Sequence, residues 1–391
     1  MKIESVDLFY LALPRVRVIG DGSQDTLLVR IRSGNHEGWG ECEASPLTSI
    51  ASFVCPLSHS ACRPVGDSVL GQRLDSPKDI ARIGHLIRAN SFDLLQAEHT
   101  ISGIDVAMWD LLGRKAGKPV HQLLGDRKAY PKLAYASALF GETPEQTFGK
   151  VRQFVRQGFR AVKLGWGSFG RHGLRHDRAQ VEAAREAAGP VCRLMIDAGT
   201  IWGADVASAR ARLAFLKRAR VTWLEEPFAT HQHEAYLRLA KSRPRVPLAG
   251  GEGAHNAPMA MHMIDHAGLS YVQIDAGRVG GISAARQVVD HARRRQVQYV
   301  NHTFTSNLAL SASLQPYAGV RPFDICEYPV ELSELAAGLT VGRIVPDADG
   351  RVAVPGGPGL GVDVNRQTVR RFLQRVVIKV GGRILYESPS I

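Results

Sequence analysis

Short apolar runs alternate with amphipathic segments along the middle of the chain, from residue 131 to about residue 330. The amphipathic segments, such as 178–188, 205–218 and 282–295, carry Ala, Leu and Arg at helical spacing. This alternation is typical of βαβ units and a parallel sheet, and eight runs at roughly 25-residue spacing favour a barrel over an open sheet. The runs are 132–138, 160–164, 192–197, 221–225, 247–252, 271–275, 297–302 and 323–327.

The first part of the chain follows a different pattern. Residues 1–33 alternate apolar and polar positions and break at glycines, which predicts two antiparallel strands. Segment 38–72 is rich in Ser, Pro and Cys and is predicted to be irregular. Helical periodicity over 77–89 and 100–116 predicts two helices before a Gly-Lys-Pro stop. Together these features predict a separate α+β domain of about 125 residues.

Composition places the chain among soluble globular proteins, with 45% hydrophobic and 22% charged residues. No stretch approaches the roughly 18 consecutive apolar residues of a membrane span. The N-terminal apolar stretch is too short and interrupted for a secretory signal, so we expect a cytoplasmic protein without a membrane partner. Five scattered cysteines without a CxxC pair argue against a zinc site and a disulfide framework.

The chain is basic, with a formal net charge of +12 and a pI near 9.7. This raises the alternative of nucleic-acid binding. The basic residues, however, are spread over predicted helices such as 207–220 and 286–295, and no long basic run contains interleaved aromatic residues. We interpret them as solvated helix faces and expect no nucleic-acid partner. A positive field also favours small anionic substrates.

Charged side chains end most of the predicted barrel strands. Six runs end in an acidic residue or a histidine, and a seventh, FRAVK, ends in Lys163. One such residue is more often a helix cap or a salt-bridge partner, but seven in register indicate a common site. In a barrel, the carboxyl ends of all strands point to the face that holds the active site. The six are Asp197, Glu225, Glu252, Asp275, His302 and Glu327.

Three of these carboxylates, Asp197, Glu225 and Glu252, come from three consecutive strands. They would repel one another unless a cation lay between them. Hard oxygen ligands without a Cys/His cluster favour Mg²⁺ over zinc. Such an ion keeps positions open for substrate oxygens and can act as a Lewis acid.

The remaining residues suggest acid/base chemistry. Asp275 and His302 end the next two strands, and a carboxylate beside an imidazole fixes its tautomer and raises its basicity, which suits a general base or acid. Lys163 could be a second acid/base group if the site lowers its pKa. Glu327, if protonated, is placed to donate a hydrogen bond to a developing oxyanion.

Specific motifs extend over nearly the whole chain, and together they resemble the enolase superfamily, in its mandelate racemase-like branch. They are GWGECEA (38–44), SGIDVAMWDLLGRKAGKPVHQLLG (102–125), GFRAVKLG (158–165), LMIDAG (194–199), LEEPF (224–228), GGEG (250–253), QIDAGRVGGIS (273–283), NH (301–302), CEY (326–328) and PGLGV (358–362). LEEP or GGEG alone would be weak evidence, but the set is highly specific.

The resemblance implies an α/β fold, a modified TIM barrel of the (β/α)7β type with an α+β capping domain. The implied units are the capping domain at 1–125, the barrel at 126–335 and a C-terminal segment at 336–391 that returns to the capping domain. The implied roles are Mg²⁺ ligands for Asp197, Glu225 and Glu252, an acid/base dyad for Asp275 and His302, and a hydrogen bond to the substrate carboxylate for Glu327. It also implies a homo-oligomer.

Two positions depart from that branch. Lys-x-Lys is usual in the second barrel strand, where the second lysine is the base, but here Gly165 takes its place after Lys163 and Leu164. Gly199 stands where Asn is common. Racemisation needs acid/base groups on both faces of the α-carbon, whereas a dehydration can use His302 alone. The departures therefore favour a dehydratase.

The leading prediction is a Mg²⁺-dependent acid-sugar dehydratase that gives a 2-keto-3-deoxy acid, with a small carboxylate as substrate. A racemase, an epimerase or a cycloisomerase working through the same enediolate is the alternative, and a non-catalytic acid-binding homologue is a third. In this family, cap loops select the substrate; here they should lie near 13–24 and 45–66.

Overall fold

The computed structural model describes residues 1–43, 46–95 and 98–391. Ala44, which ends the GWGECEA motif, and Ser45, which begins the second predicted cap loop, lie outside the described residues. Among the described residues, no helix combines the length and the apolar character that crossing a membrane requires. None of the five cysteines, all of which lie among the described residues, forms a disulfide bond.

The N-terminal part forms a three-stranded antiparallel sheet covered by helices. The predicted pair of strands is present, and a third strand follows it. The strands are β1 (Ser5–Ala12), β2 (Asp25–Ser33) and β3 (His36–Cys42). The helices are α1 (Pro46–Val54), α2 (Val65–Val69), α3 (Pro77–Asn90), α4 (His99–Ala116) and α5 (Val120–Leu123).

The prediction that 38–72 is irregular is wrong for β3, α1 and α2. The glycines of β3 explain the difference between the predicted irregular segment and this strand. A Cβ added at Gly38 would lie 2.4 Å from the Ala107 carbonyl oxygen, and one at Gly40 would lie 2.2 Å from the Gly103 oxygen. Both carbonyls belong to α4, so these glycines permit a close strand–helix contact and do not break the strand.

The middle of the chain forms the predicted barrel of eight parallel strands, in the order β10-β9-β8-β7-β6-β5-β4-β11. The strands are β4 (Lys132–Leu139), β5 (Ala161–Gly165), β6 (Arg193–Asp197), β7 (Val221–Glu225), β8 (Leu248–Gly250), β9 (Tyr271–Ile274), β10 (Gln298–Asn301) and β11 (Ile325–Pro329). Seven helices connect them: α6 (Pro144–Arg156), α7 (Leu174–Ala188), α8 (Val206–Arg218), α9 (His233–Ala240), α10 (Ala257–His266), α11 (Gly281–Arg295) and α12 (Asn307–Leu314). This is the (β/α)7β arrangement.

A buried side chain bridges the barrel seam between β10 and β11. The Asn301 Oδ1 atom accepts hydrogen bonds from the Glu327 backbone N–H at 3.0 Å and from the Tyr317 hydroxyl at 2.8 Å. Its amide nitrogen donates to the Glu327 carbonyl oxygen at 3.3 Å. The amide thus takes the place of a backbone ladder and fixes β11 beside the strand that precedes His302.

The C-terminal segment returns to the N-terminal sheet. Leu373 forms an antiparallel bridge with Leu11, and Val369 and Phe372 join the apolar cluster of the N-terminal domain. Only one short strand of this segment pairs with the barrel strand β4. The segment contains α13 (Glu334–Gly338), β12 (Thr340–Val341), β13 (Arg351–Val352), β14 (Asp363–Val364), α14 (Arg366–Phe372), β15 (Val377–Val380) and β16 (Arg383–Glu387). The exact boundaries at 125 and 335 stay predictions.

Candidate active site

Alternation along the barrel strands separates an apolar floor from a charged layer above it. Side chains two residues apart on a strand point to the same face. The interior cluster at the floor contains Ala161, Met195, Trp223, Val300 and Ile325. Two residues further along each of these strands stand Lys163, Asp197, Glu225, His302 and Glu327. The sequence register therefore places these five predicted side chains in one layer at the carboxyl end of the barrel.

Only some of these residues lie at the end of their strand, as the sequence predicted. Asp197 and Glu225 end β6 and β7, as expected. Lys163 and Glu327 lie in the middle of β5 and β11, because both strands continue for two more residues. Both side chains still point inward, so the pattern identified the face correctly although it misplaced the end.

Asp197, Glu225 and Glu252 form a buried acidic cluster, with one oxygen atom from each within 4.8 Å of the others. Burial and the neighbouring Glu225 raise the pKa of Asp197 well above its usual range, and burial likewise raises the pKa of Glu225. The ionised cluster is thus unfavourable without a cation. The donor set contains only carboxylate oxygens, which suits a hard divalent ion. These three residues could hold such an ion.

Lys163 is an ammonium group between two carboxylates. Its Nζ atom lies 2.6 Å from Glu225 Oε1 and 2.8 Å from Glu327 Oε1. Burial opposes the charged form, yet these carboxylates hold the pKa of Lys163 well above its ordinary value. A role as a general base requires a shift in the opposite direction. The geometry supports a role for Lys163 as a fixed positive charge.

The neighbours of Glu327 favour its ionised form, which accepts hydrogen bonds, over the protonated donor considered from the sequence. Burial alone would raise the pKa of this carboxyl, but Lys163 and His302 hold it below its usual range. The Ser137 hydroxyl and the Thr303 backbone N–H each donate a hydrogen bond to it at 2.7 Å. These partners fix both of its oxygens beside the cavity.

Asp275 and His302 form the predicted pair. The His302 Nδ1 atom lies 2.8 Å from Asp275 Oδ2, and Nε2 lies 3.2 Å from Glu252 Oε2 on the side of the acidic cluster. Burial raises the pKa of Asp275, but the contact with His302 outweighs it and brings the value to about 2. Burial opposes the imidazolium, yet Glu252 and Glu327 hold the pKa of His302 well above its ordinary value.

Two residues near the pair were not assigned from the sequence. Glu43, which follows β3 of the N-terminal domain, contacts the Arg278 guanidinium and lies 3.8 Å from His302 Nδ1. Burial raises the pKa of Glu43 to about 8, although Arg278 opposes this shift. Both residues belong to motifs that carried the resemblance, but neither lies directly at the end of a barrel strand, the position on which the sequence argument relied.

A cavity of about 280 Å³ opens above the charged layer. Lys163, Asp197, Glu252, His302 and Glu327 line it, while Glu225 and Asp275 lie behind them. Among the described residues, the first predicted cap loop contributes positions 19–22 to the wall, whereas 46–66 contributes none. The loop packs against Glu43, since a Cβ at Gly22 would lie 2.6 Å from Glu43 Oε1.

Comparison with known proteins gives a consistent result. Residues 148–368 match the family described as enolase C-terminal domain-like. Residues 14–125 match the mandelate racemase/muconate lactonizing enzyme N-terminal domain. A Rhodobacter sphaeroides crystal structure described as a predicted mandelate racemase is 53% identical, with a TM-score of 0.95 and 100% of both chains covered.

Two characterised relatives have names that describe different reactions. The D-galactarolactone cycloisomerase of Agrobacterium fabrum is 29% identical, with 70% of this chain and 73% of the relative covered. The D-galactonate dehydratase of Variovorax paradoxus is 28% identical, with 85% of this chain and 86% of the relative covered. Their names thus include both a cycloisomerase and a dehydratase.

Proposed function

The chain belongs to the mandelate racemase/muconate lactonizing enzyme branch of the enolase superfamily, and from that premise we propose that it is an acid-sugar dehydratase. It would remove the α-proton of a sugar acid and eliminate the β-hydroxyl group as water, giving a 2-keto-3-deoxy acid. One observation carries the proposal. His302, paired with Asp275, is an acid/base group that faces the cavity, while Gly165 has no side chain where the second lysine is usual.

Asp197, Glu225 and Glu252 are the proposed Mg²⁺ ligands. Their three oxygen donors, their burial and the raised pKa values of Asp197 and Glu225 all fit a divalent cation. When bound, the ion supplies a Lewis acid for the substrate oxygens. Neutralisation of Glu252 also weakens the attraction that keeps His302 protonated, so the neutral imidazole that accepts a proton becomes more favourable.

The protein groups then act in sequence on one substrate. The His302 Nε2 atom takes the proton from the α-carbon, and the electron pair of that bond moves towards the carboxylate, beside the Lys163 ammonium group. The C–O bond at the β-carbon then breaks, and His302 returns its proton to the departing oxygen, which leaves as water. Asp275 stabilises the imidazolium between the two transfers. The enol product rearranges to the keto acid.

Cycloisomerisation is a second candidate because it requires the same single acid/base group. Its proton would return to a carbon and not to an oxygen, with an intramolecular C–O bond broken or formed. The similarity to the A. fabrum cycloisomerase favours this alternative. A racemase or epimerase fits less well, since it requires a proton carrier on the face opposite His302.

A panel of sugar acids and simple 2-hydroxy acids, each incubated with enzyme and Mg²⁺, tests the proposal through detection of 2-keto acid as a semicarbazone. We expect product from at least one sugar acid, and none with the His302→Asn variant. His85→Asn, at an exposed position on α3, is the matched control and should retain full activity. Full activity of His302→Asn, or no keto acid from the whole panel, would contradict the proposal.

A further inference from the structure

Trp166 stands at the mouth of the cavity in an unfavourable backbone conformation. Its φ is +54°, in the left-handed region that bulky residues rarely adopt, and 37% of the side chain is exposed. Such a conformation is strained and persists only where the surrounding structure enforces it, as at ligand-binding sites. The mechanism proposed above does not use this residue.

Two glycines enclose the indole. A Cβ at Gly199, after β6, would lie 2.8 Å from Trp166 Cδ2, and one at Gly20, in the cap loop, would lie 3.0 Å from Cγ and Cδ2. A side chain at Gly199 would require the indole to move, and one at Gly20 would be tightly packed against it. The departure at Gly199 that the sequence revealed is therefore explained by space for the indole. Trp166 links the barrel to the cap loop as a fixed aromatic wall of the cavity.

The positive charges of the cavity already have partners. Among the described residues that line it, the basic ones are Lys163, Arg278 and His302. Lys163 pairs with Glu225 and Glu327, Arg278 with Glu43, and His302 with Asp275. The cap loop adds Asp21, an acidic residue, to the wall. A second carboxylate on the substrate would thus meet negative charge and no unpaired described cation.

We infer that Trp166 determines the substrate specificity of this cavity and that the cavity selects acids with one carboxylate whose carbon chain presents a C–H face to the indole. Sugar acids oxidised at one end meet this description, and those oxidised at both ends do not. The inference rests on the proposed function in one respect: the substrate carboxylate is taken to lie at the Asp197, Glu225 and Glu252 end.

Isothermal titration of Mg²⁺-loaded His302→Asn protein tests the inference without turnover. Galactonate and galactarate have the same carbon chain and differ in the second carboxylate. We expect galactarate to bind at least about tenfold more weakly, because like charges face each other. Trp166→Ala should weaken galactonate binding by about 3- to 10-fold through loss of the aromatic contact, whereas Trp166→Phe should retain most of it.

Two controls make the result specific. Lactate has the carboxylate and the 2-hydroxyl group but lacks the rest of the carbon chain, so its binding should change less than that of galactonate in Trp166→Ala. Asp21→Asn should reduce the difference between galactonate and galactarate, and it retains a side chain able to accept the hydrogen bond from the Ser23 backbone N–H at 2.9 Å.

Several outcomes would overturn the inference: equal affinities for the two sugar acids, an equal effect of Trp166→Ala on lactate and galactonate, or no binding of either sugar acid at millimolar concentration. Failure of the proposed function is a separate result. In that case wild-type enzyme converts neither sugar acid, although the binding preference and the effect of Trp166→Ala are present.

Discussion

Gly165 offers a direct test of the proposed metal site, because the position of the missing lysine is closely packed. A Cβ at Gly165 would lie 2.7 Å from Asp197 Oδ2 and 2.9 Å from Asp197 Cβ. Ordinary contacts of this kind are at least 3.4 Å, so Gly165→Ala requires the Asp197 side chain to move by about half an ångström. Magnesium demands near-ideal geometry, and its ligand distances tolerate shifts of about 0.2 Å.

The expected consequence is a loss of Mg²⁺ affinity of about 10- to 100-fold, the range seen when the support of a ligand is disturbed. Calorimetric titration of Mg²⁺ into metal-free wild-type and Gly165→Ala proteins measures it. Gly149→Ala is the matched control, since a Cβ at this position in α6 meets nothing within 4 Å. Unchanged affinity in Gly165→Ala, with its fold intact, would refute the assignment of Asp197 as a ligand held by this packing.

Two further predictions concern stability. Asn301→Ala should lower the free energy of unfolding by about 2–4 kcal/mol, measured by urea denaturation, because the buried Glu327 N–H loses its acceptor and the Tyr317 hydroxyl keeps only the longer bond to the Ile325 carbonyl oxygen at 3.3 Å; a loss below about 1 kcal/mol would contradict the role of Asn301 at the barrel seam. Burial lowers the pKa of Lys132 to about 8, so its charge opposes folding most strongly below pH 8, and this cost disappears as the pH rises towards 10.5. The free energy of unfolding of Lys132→Met should therefore exceed that of wild type by up to roughly 3 kcal/mol at pH 7, less the contribution of the Lys132 hydrogen bond to Val320. This difference should disappear by pH 10. A difference that does not depend on pH would contradict the assigned charge cost of Lys132.

The spacing of hydrophobic positions predicted the barrel because it differs between a strand and a helix, and because each barrel strand is short and apolar. It failed where glycines have a packing role, as at Gly38 and Gly40 of β3. A glycine that permits a close backbone contact cannot be distinguished in sequence from one that ends a strand, since both lack a Cβ. The partner helix α4 lies more than 50 residues away in sequence.

The structure brings the seven predicted residues together, as expected from the rule that chemistry lies at the carboxyl ends of barrel strands. Their roles depend on contacts that this rule does not describe. Lys163 was considered as an acid/base group, but its position between Glu225 and Glu327 makes it a cation. Trp166 and Glu43 stand at positions that the repeat of strands and helices does not single out. Only the structure shows that they line the cavity.

The central claim is that His302 alone moves the proton during elimination. Proton NMR in D₂O with Mg²⁺ and the sugar acid identified from the panel tests it most directly. We predict that the α-proton signal disappears only as a 3-deoxy signal grows, that the remaining substrate contains no deuterium at the α-carbon, and that His302→Asn shows neither change. Deuterium entering the α-position of the acid with inversion of configuration, and without a new carbon skeleton, would contradict the claim, since it would reveal a racemase or epimerase with a second proton carrier.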